Sequence, residues 1–168
     1  MHEEMHVITH QAPAGSVSPG IRVLPSEGER ESTATAAQRK VTQQRIQALA
    51  LRILVVDDEP TFRKALRFAL ETSYGAKVTE VPSGSDALQV ELDDYDVILV
   101  DVKMPGMDGI VTCEEMLARG VTALIALMST DSSHAGTASS HRVPFYDKNN
   151  PKAALEPILL SAGGGGDA

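Results

Sequence analysis

Two short runs of branched apolar residues that each end in aspartate constrain this chain more than any other feature. Arg52-Ile53-Leu54-Val55-Val56 leads into Asp57-Asp58, and Val97-Ile98-Leu99-Val100 leads into Asp101. Each run is short and almost continuously apolar rather than alternating, the pattern of a strand buried on both faces. Such a strand needs helices above and below it, and the intervening segments must supply them.

The intervening segments have the right period. Phe62, Ala65, Leu66, Ala69 and Leu70 recur at helical spacing, with Pro60 near the start and Gly75 as the stop. Lys77 to Val81 reads as a second strand and Asp86 to Leu92 as a short helix. Ile110, Cys113 and Leu117 mark a helix face that Gly120 can end. Ala123 to Met128 reads as a fourth strand and Val143 to Tyr146 as a weaker fifth. Alternating strands and helices predict an α/β fold with a mainly parallel sheet covered on both faces. Pro144, inside the fifth run, sends that strand to an edge, where a missing N–H costs little.

This repeat occupies about residues 51–161 of the 168, enough for one ordinary domain. Residues 1–50 differ, being rich in Ser, Thr, Gln, Glu, Pro and Gly. Such a segment buries too little apolar surface to offset its ordering entropy, so disorder is expected through about residue 32. A marginal helix is expected over 33–50, where Val41, Ile46 and Leu49 keep only a poor period. Residues 162–168 read as a flexible tail.

The formal net charge of -8 argues against a nucleic-acid partner. Cys113 stands alone, which excludes an internal disulfide and fits a reducing compartment. The longest apolar run, Ala123 to Met128, is too short to span a bilayer, and MHEEMH lacks the marks of a secretion signal. A cytoplasmic location without membrane contact is expected.

In an open α/β sheet, ligands sit outside the carboxyl ends of the strands. Asp57, Asp58 and Asp101 fall there, Ser129 follows the fourth run, and Lys148 follows the fifth. Clustered carboxylates need a counter-cation, and Mg2+ favours one or two carboxylates, waters and a phosphate oxygen. A third carboxylate beside such a pair suits phosphoryl transfer, with a hydroxyl and an ammonium to hold the other phosphate oxygens. Taken singly, each residue is ordinary: an Asp-Asp turn, a loop Asp, a solvated Ser or Lys. The argument rests on their conjunction, each just beyond its own strand.

At this point the residues resemble a known family. RILVVDDEP at 52–60, DVILVDVKMPGMDGI at 96–110 and ALIALMST at 123–130 are similar to the receiver domain of bacterial response regulators, of the chemotaxis-regulator kind. The resemblance implies a flavodoxin-like sheet in the order 2-1-3-4-5. It implies Asp101 as phospho-acceptor and metal ligand, Asp58 as direct Mg2+ ligand, Asp57 as an acid holding the metal through water, and the Lys103 carbonyl as a further ligand. It implies Ser129 as the switch hydroxyl, Lys148 as the lysine that pairs with phosphate, and Phe145 as the aromatic that turns inward on activation. Met104 to Gly109 would shape the mouth of the cleft. The implied partner is a sensor histidine kinase or a histidine phosphotransfer protein. Phosphorylation and dephosphorylation would be self-catalysed, without separate small-molecule turnover.

The resemblance places Lys103 and Asp131 at positions that tune access of attacking water, and their opposite charges are expected to pair across the cleft. Three departures from the family pattern sit together. The stretch 129–148 is short and crowded with Ser, Thr and Gly, so its helix is expected to be short, frayed or absent. Asn149 stands where the family usually has Pro, which puts the cis peptide after Lys148 in doubt. The last helix can start with Asn150 as N-cap and Pro151 at N1, and Pro157 should kink or stop it.

About twenty residues follow Lys148, too few for a DNA-binding module, so the expected protein is a single-domain regulator that signals to an unknown protein partner. The alternative is a receiver-like adaptor that works without phosphorylation. A Mg2+-dependent phosphatase on a related fold ranks lower, because it wants a second Asp where Lys103 stands. His2, His6 and His10 could line one helix face and bind a transition metal, though scattered histidines on a disordered terminus are the plainer reading. Cys113 is expected to be an inert core residue.

Overall fold

In a computed structural model that describes residues 27–163, the apolar runs pair side by side as five strands. They are β1 (Arg52–Val56), β2 (Lys77–Val81), β3 (Val97–Asp101), β4 (Leu124–Ser129) and β5 (Phe145–Asp147). All pair in parallel, in the order β2-β1-β3-β4-β5, the flavodoxin-like order that the resemblance implied. Ile53 sits between Val78 and Val97, and Leu127 between Val100 and Phe145.

The helices are α1 (Glu27–Leu49), α2 (Pro60–Tyr74), α3 (Gly84–Ala87), α4 (Gly109–Ala118), α5 (His134–Ser140) and α6 (Pro151–Gly163), with a single 3-10 turn at Leu92–Asp94. Period-two alternation splits the sheet between two apolar layers. Ile53, Val55, Val97, Leu99, Ala126 and Met128 meet α1, α2 and α6, through Ile46, Leu66, Leu70, Leu155 and Leu159. Leu54, Val56, Ile98, Val100, Ile125 and Leu127 meet Ala87, Cys113, Met116 and Ala138 from α3, α4 and α5.

Local signals act as expected at several ends. Pro60 opens α2, and Gly75 closes it in the left-handed region at φ 64°. The helix expected between Ser129 and Lys148 is the seven-residue α5. Only Ala138 of it is buried, and Ser140 Oγ bonds back to the Gly136 carbonyl. Little apolar surface and a competing hydroxyl keep it short. Among the described residues no peptide bond is cis, including the one after Lys148.

Five expectations need correction. Pro144 lies just before β5, not inside it, and its carbonyl accepts from Leu127 N at 3.0 Å, so the proline can begin the edge without disturbing the ladder. Leu117 is exposed, and Thr112, Cys113 and Met116 turn inward instead. The single helix expected over Asp86 to Leu92 is a turn of α3, capped by the Ser83 side chain, followed by the separate 3-10 turn.

The other two concern α1 and α6. Pro157 neither stops α6 nor ends its packing, since the helix runs on to Gly163. Pro157 is itself exposed, while Leu155, Ile158 and Leu159 are buried on either side of it. Each such side chain contributes about 1.5–3 kcal/mol on burial, against roughly 3 kcal/mol for an interior proline.

Helix α1 begins at Glu27, before the expected start at residue 33, so the helix reaches into the stretch expected to be disordered; residues 1–26, with His2, His6 and His10, and residues 164–168 lie outside the described residues. Val41 is exposed, and Ile46, at 1% exposure, anchors the helix. Gln43 and Gln47 also donate from α1 to the Ser73 carbonyl, at 2.6 and 2.9 Å, near the end of α2. Once one end is docked, each further turn is propagation rather than nucleation.

Replacing Ile46 with Ala is expected to cost about 2–5 kcal/mol locally. Hydrogen exchange should show residues 36–49 losing protection while β1 and β3 amides keep theirs; uniform loss across both would refute separate docking of α1.

Candidate functional site

Asp57 follows β1 and is fully buried, at 0% exposure, so its carboxylate must be bonded on all sides it presents to protein. Oδ1 accepts from Glu59 N at 2.8 Å and Oδ2 accepts from Lys148 Nζ at 2.6 Å. The Arg63 guanidinium donates to the Asp57 carbonyl from α2. Asp101 is the last residue of β3, 6% exposed, and its Oδ1 lies 2.7 Å from the same Lys148 Nζ. Asp58 is exposed. One carboxylate oxygen from each of the three acids lies within 4.8 Å of the others.

Lys148 reaches this cluster from the end of β5. Its backbone N donates to the Ser129 carbonyl at 2.9 Å, and its ammonium lies 4.3 Å from the Phe62 ring centroid. Asn149, at the usual Pro position, ties the adjoining loop instead: its Nδ2 donates to the Thr130 carbonyl at 2.6 Å. Around these groups lies a cleft of about 460 Å³, also lined by Glu59, Lys103, Ser129 and Thr130.

Burial pushes the Asp101 carboxyl above its ordinary value, Asp57 and Asp58 push it further, and the bond from Lys148 opposes them. For Lys148 burial pulls downward, yet its bonds to Asp101 and Asp57 hold the proton more strongly and the net shift is upward. The two directions agree once the charges are counted. One ammonium has two carboxylate partners, whereas Asp101 shares that ammonium and faces two other acids. The cluster is short of positive charge.

An all-oxygen donor set short of positive charge, with one exposed acid open to water, fits a hard divalent cation of the Mg2+ kind. Asp57, Asp58 and Asp101 could hold it, and Lys103 lines the same cleft. Such an ion bound beside Asp101 would favour its charged form, against the burial that chiefly raises its pKa and the smaller repulsion from Asp57 and Asp58.

The backbone of Asp101 is itself clamped. A Cβ added at Gly109 would fall 1.9 Å from the Asp101 carbonyl oxygen, so only glycine lets α4 start this close to β3. The Gly109 N donates to the Val102 carbonyl at 2.9 Å, and the Asp108 side chain caps the helix at Val111 N.

Six of the residues singled out in the sequence therefore share one cleft: Asp57, Asp58, Asp101, Lys103, Ser129 and Lys148. Ser129 is the last residue of β4 rather than the first after it, and is 2% exposed. Phe145 is not in the cleft; it is half-buried against the α3–α5 layer. Lys103 and Asp131 pair at 3.7 Å, both well exposed, which makes the bridge weak. Cys113 is buried in the core, its thiol pushed up to about 11 by burial with a contribution from Glu114. Phe62 and His134 were missed as site residues. Phe62 carried only a helix-face signal, and His134, whose Nδ1 lies 3.0 Å from Ser129 Oγ, sits in a polar stretch with no pattern.

A family model described as the response regulator receiver domain matches residues 53–143, just over half of the chain. The transcriptional regulatory protein ResD of Bacillus subtilis is 42% identical over 77 residues, covering 45% of this chain and 32% of ResD. The nitrate/nitrite response regulator protein NarP of Escherichia coli is 34% identical over 125 residues, covering 70% of this chain and 58% of NarP. The chain thus spans from about a third to somewhat over half of the length of these relatives. Among solved structures, a response regulator protein from Thermotoga maritima in complex with Mg(2+)-BeF is 28% identical, with a TM-score of 0.58 over 67% of this chain and 98% of that one. A CheY-like receiver domain from Methylobacillus flagellatus is 26% identical, with a TM-score of 0.59 over 67% and 98%.

A carboxyl whose pKa is raised by folding adds most to stability in acid, and that contribution is lost as pH rises through the ordinary carboxylate range to the raised value. At neutral pH the Asp101 charge therefore costs stability. Asp101→Asn should raise Tm at pH 7 by a few degrees, about 1 kcal/mol for a domain of this size, and the gain should shrink in acid. Mg2+ should raise the Tm of the wild-type protein more than that of the variant. A wild-type Tm that ignores Mg2+ would contradict the cation fit.

Proposed function

The chain belongs to the response regulator receiver family, whose members work by phosphorylation-based signalling, and on that premise we propose that it accepts a phosphoryl group on Asp101 from a histidine donor. The observation that carries this reading is the buried Asp101 carboxylate, held between one shared ammonium and two further acids at the carboxyl ends of parallel strands. The unit that does this is residues 51–161, with α6 running two residues past that bound.

A carboxylate oxygen of Asp101 attacks the phosphorus of a phosphohistidine on a sensor kinase or phosphotransfer protein. An O–P bond forms as the P–N bond breaks, and the bonding pair leaves on the imidazole nitrogen. Asp58, Asp57, Asp101 and the Lys103 carbonyl would hold Mg2+, which would neutralise charge on the phosphoryl oxygens. Asp57 keeps part of the Lys148 ammonium, and Lys148 turns its remaining donors to the phosphoryl group as Asp101 is esterified. The Ser129 hydroxyl donates to another phosphoryl oxygen. Phe145, one residue along β5 from the buried Tyr146, responds by changing its packing against the α5 side.

Output is read as running through protein contact. The net charge of -8 supports a protein partner over nucleic acid. Both relatives described above are regulators by name, and the Thermotoga maritima protein binds a magnesium–beryllofluoride group, which supports Mg2+ use here.

Intact-mass analysis after incubation with a small phosphodonor and Mg2+ should show one phosphoryl adduct, absent without metal and absent in Asp101→Asn. No adduct from a small donor or from a histidine kinase would favour an adaptor that works without phosphorylation. With the adduct in hand, Lys103→Ala and Asp131→Ala should each change its lifetime a few-fold through access of water. Unchanged lifetimes would remove that pair from the mechanism.

A further inference from the structure

We infer that His134 is a positioning residue that holds the Ser129 hydroxyl away from the acceptor and competes with the phosphoryl group for its single proton. The inference rests on the proposed acceptance at Asp101. It starts from the valences of one buried hydroxyl. Ser129 Oγ accepts from Asp131 N at 3.0 Å, a contact in which the amide can only donate. Its second contact is His134 Nδ1, also at 3.0 Å. The amide takes one of the hydroxyl's two lone pairs; in the Nε2–H tautomer, which we assign to His134, Nδ1 can only accept, and the hydroxyl gives it its proton.

Among the described residues, neither of these two partners belongs to the acidic cluster. The hydroxyl is therefore committed to the start of α5 before any phosphoryl group arrives. It cannot donate to a phosphoryl oxygen and to Nδ1 together, because a serine hydroxyl has one proton. Formation of the switched state must break the Ser129–His134 bond, and the lost bond is a cost that opposes switching.

The placement makes the same bond a link to the rest of α5. His134 is the first residue of that helix, and Asp131 Oδ1 accepts from Ser133 N at 3.0 Å just before it. At the other end of α5, His141 Nε2 meets Glu114 Oε1 at 2.9 Å on α4. Release of His134 frees the first turn of a helix whose only buried side chain is Ala138. Among the described residues, the side-chain hydrogen bond between His134 and Ser129 thus ties the short, weakly packed α5 to the site.

The test is a titration with beryllofluoride and saturating Mg2+ at about pH 8, where a free imidazole is neutral. His134→Leu removes the competing acceptor and should bind beryllofluoride about 3- to 10-fold more tightly than wild type, the range expected for one net hydrogen bond. His134→Asn places its Oδ1 the same number of bonds from Cα as Nδ1, and should restore near wild-type affinity. In a Ser129→Ala background, His134→Leu should change nothing. Three results would each overturn the inference with beryllofluoride binding intact: wild-type affinity in His134→Leu, an Asn variant that behaves like Leu, or an equal gain without the Ser129 hydroxyl. Failure of the wild-type protein to bind beryllofluoride at all would overturn the Asp101 acceptor reading as well.

Discussion

Lys148 places one ammonium between two buried carboxylates, 2.6 Å from Asp57 and 2.7 Å from Asp101, and the geometry of the cleft depends on it. Without that charge, a fully buried Asp57 would face two further acids unscreened, an arrangement that a protein interior tolerates poorly. The sheet order makes the contact reachable. β4 lies between β3 and β5, and it ends in the small Ser129, whose carbonyl accepts the Lys148 backbone N. The lysine is therefore registered by the main chain at one end and by two acids at the other. The ion pairs need not add to stability, because desolvation offsets most of their attraction. Their effect is positional, and the residual shortage of positive charge leaves room for a divalent cation.

The same register explains how a small polar site rests on an apolar sheet. β3 is buried along its whole length, and its last residue is the acid that matters. Gly109 brings the first turn of α4 against the Asp101 backbone, closer than any side chain would allow. One face of the sheet is closed by α2 and α6 with α1 laid across them through Ile46 and Leu49, the latter meeting the space a Cβ would occupy on Gly163. That face is well packed. The other face ends in α5, which offers little apolar surface. The molecule is built firmly where it holds the acids and lightly where the site would report its state.

Much of this was readable in order along the chain. Strands buried on both faces announce themselves by continuous apolar runs, and Pro60 and Gly75 bound α2 as their backbone preferences require. The acids were legible because a strand end in a parallel sheet is a defined place, so sequence position translated directly into location. Failures fell where packing outweighs local preference. Pro157 was expected to kink or stop α6, and it does not stop it: the buried neighbours on both sides carry the helix past it. The extent of α1 was missed because one anchored isoleucine, rather than a periodic stripe, docks it. His134 carried no signal, since its partner is defined by the bend of the chain between β4 and α5.

The sequence alone determined the layer architecture and the set of side chains at the strand ends, because each follows from hydrophobic period and local backbone preference, while the strand order was implied by the resemblance to receivers. The tertiary structure decided which of those side chains share a proton or a charge. It set one ammonium between Asp57 and Asp101, committed the Ser129 hydroxyl to His134, and left Phe145 outside the cleft. These pairings join residues on separate strands and loops, so they depend on distances of a few ångströms that no local pattern encodes.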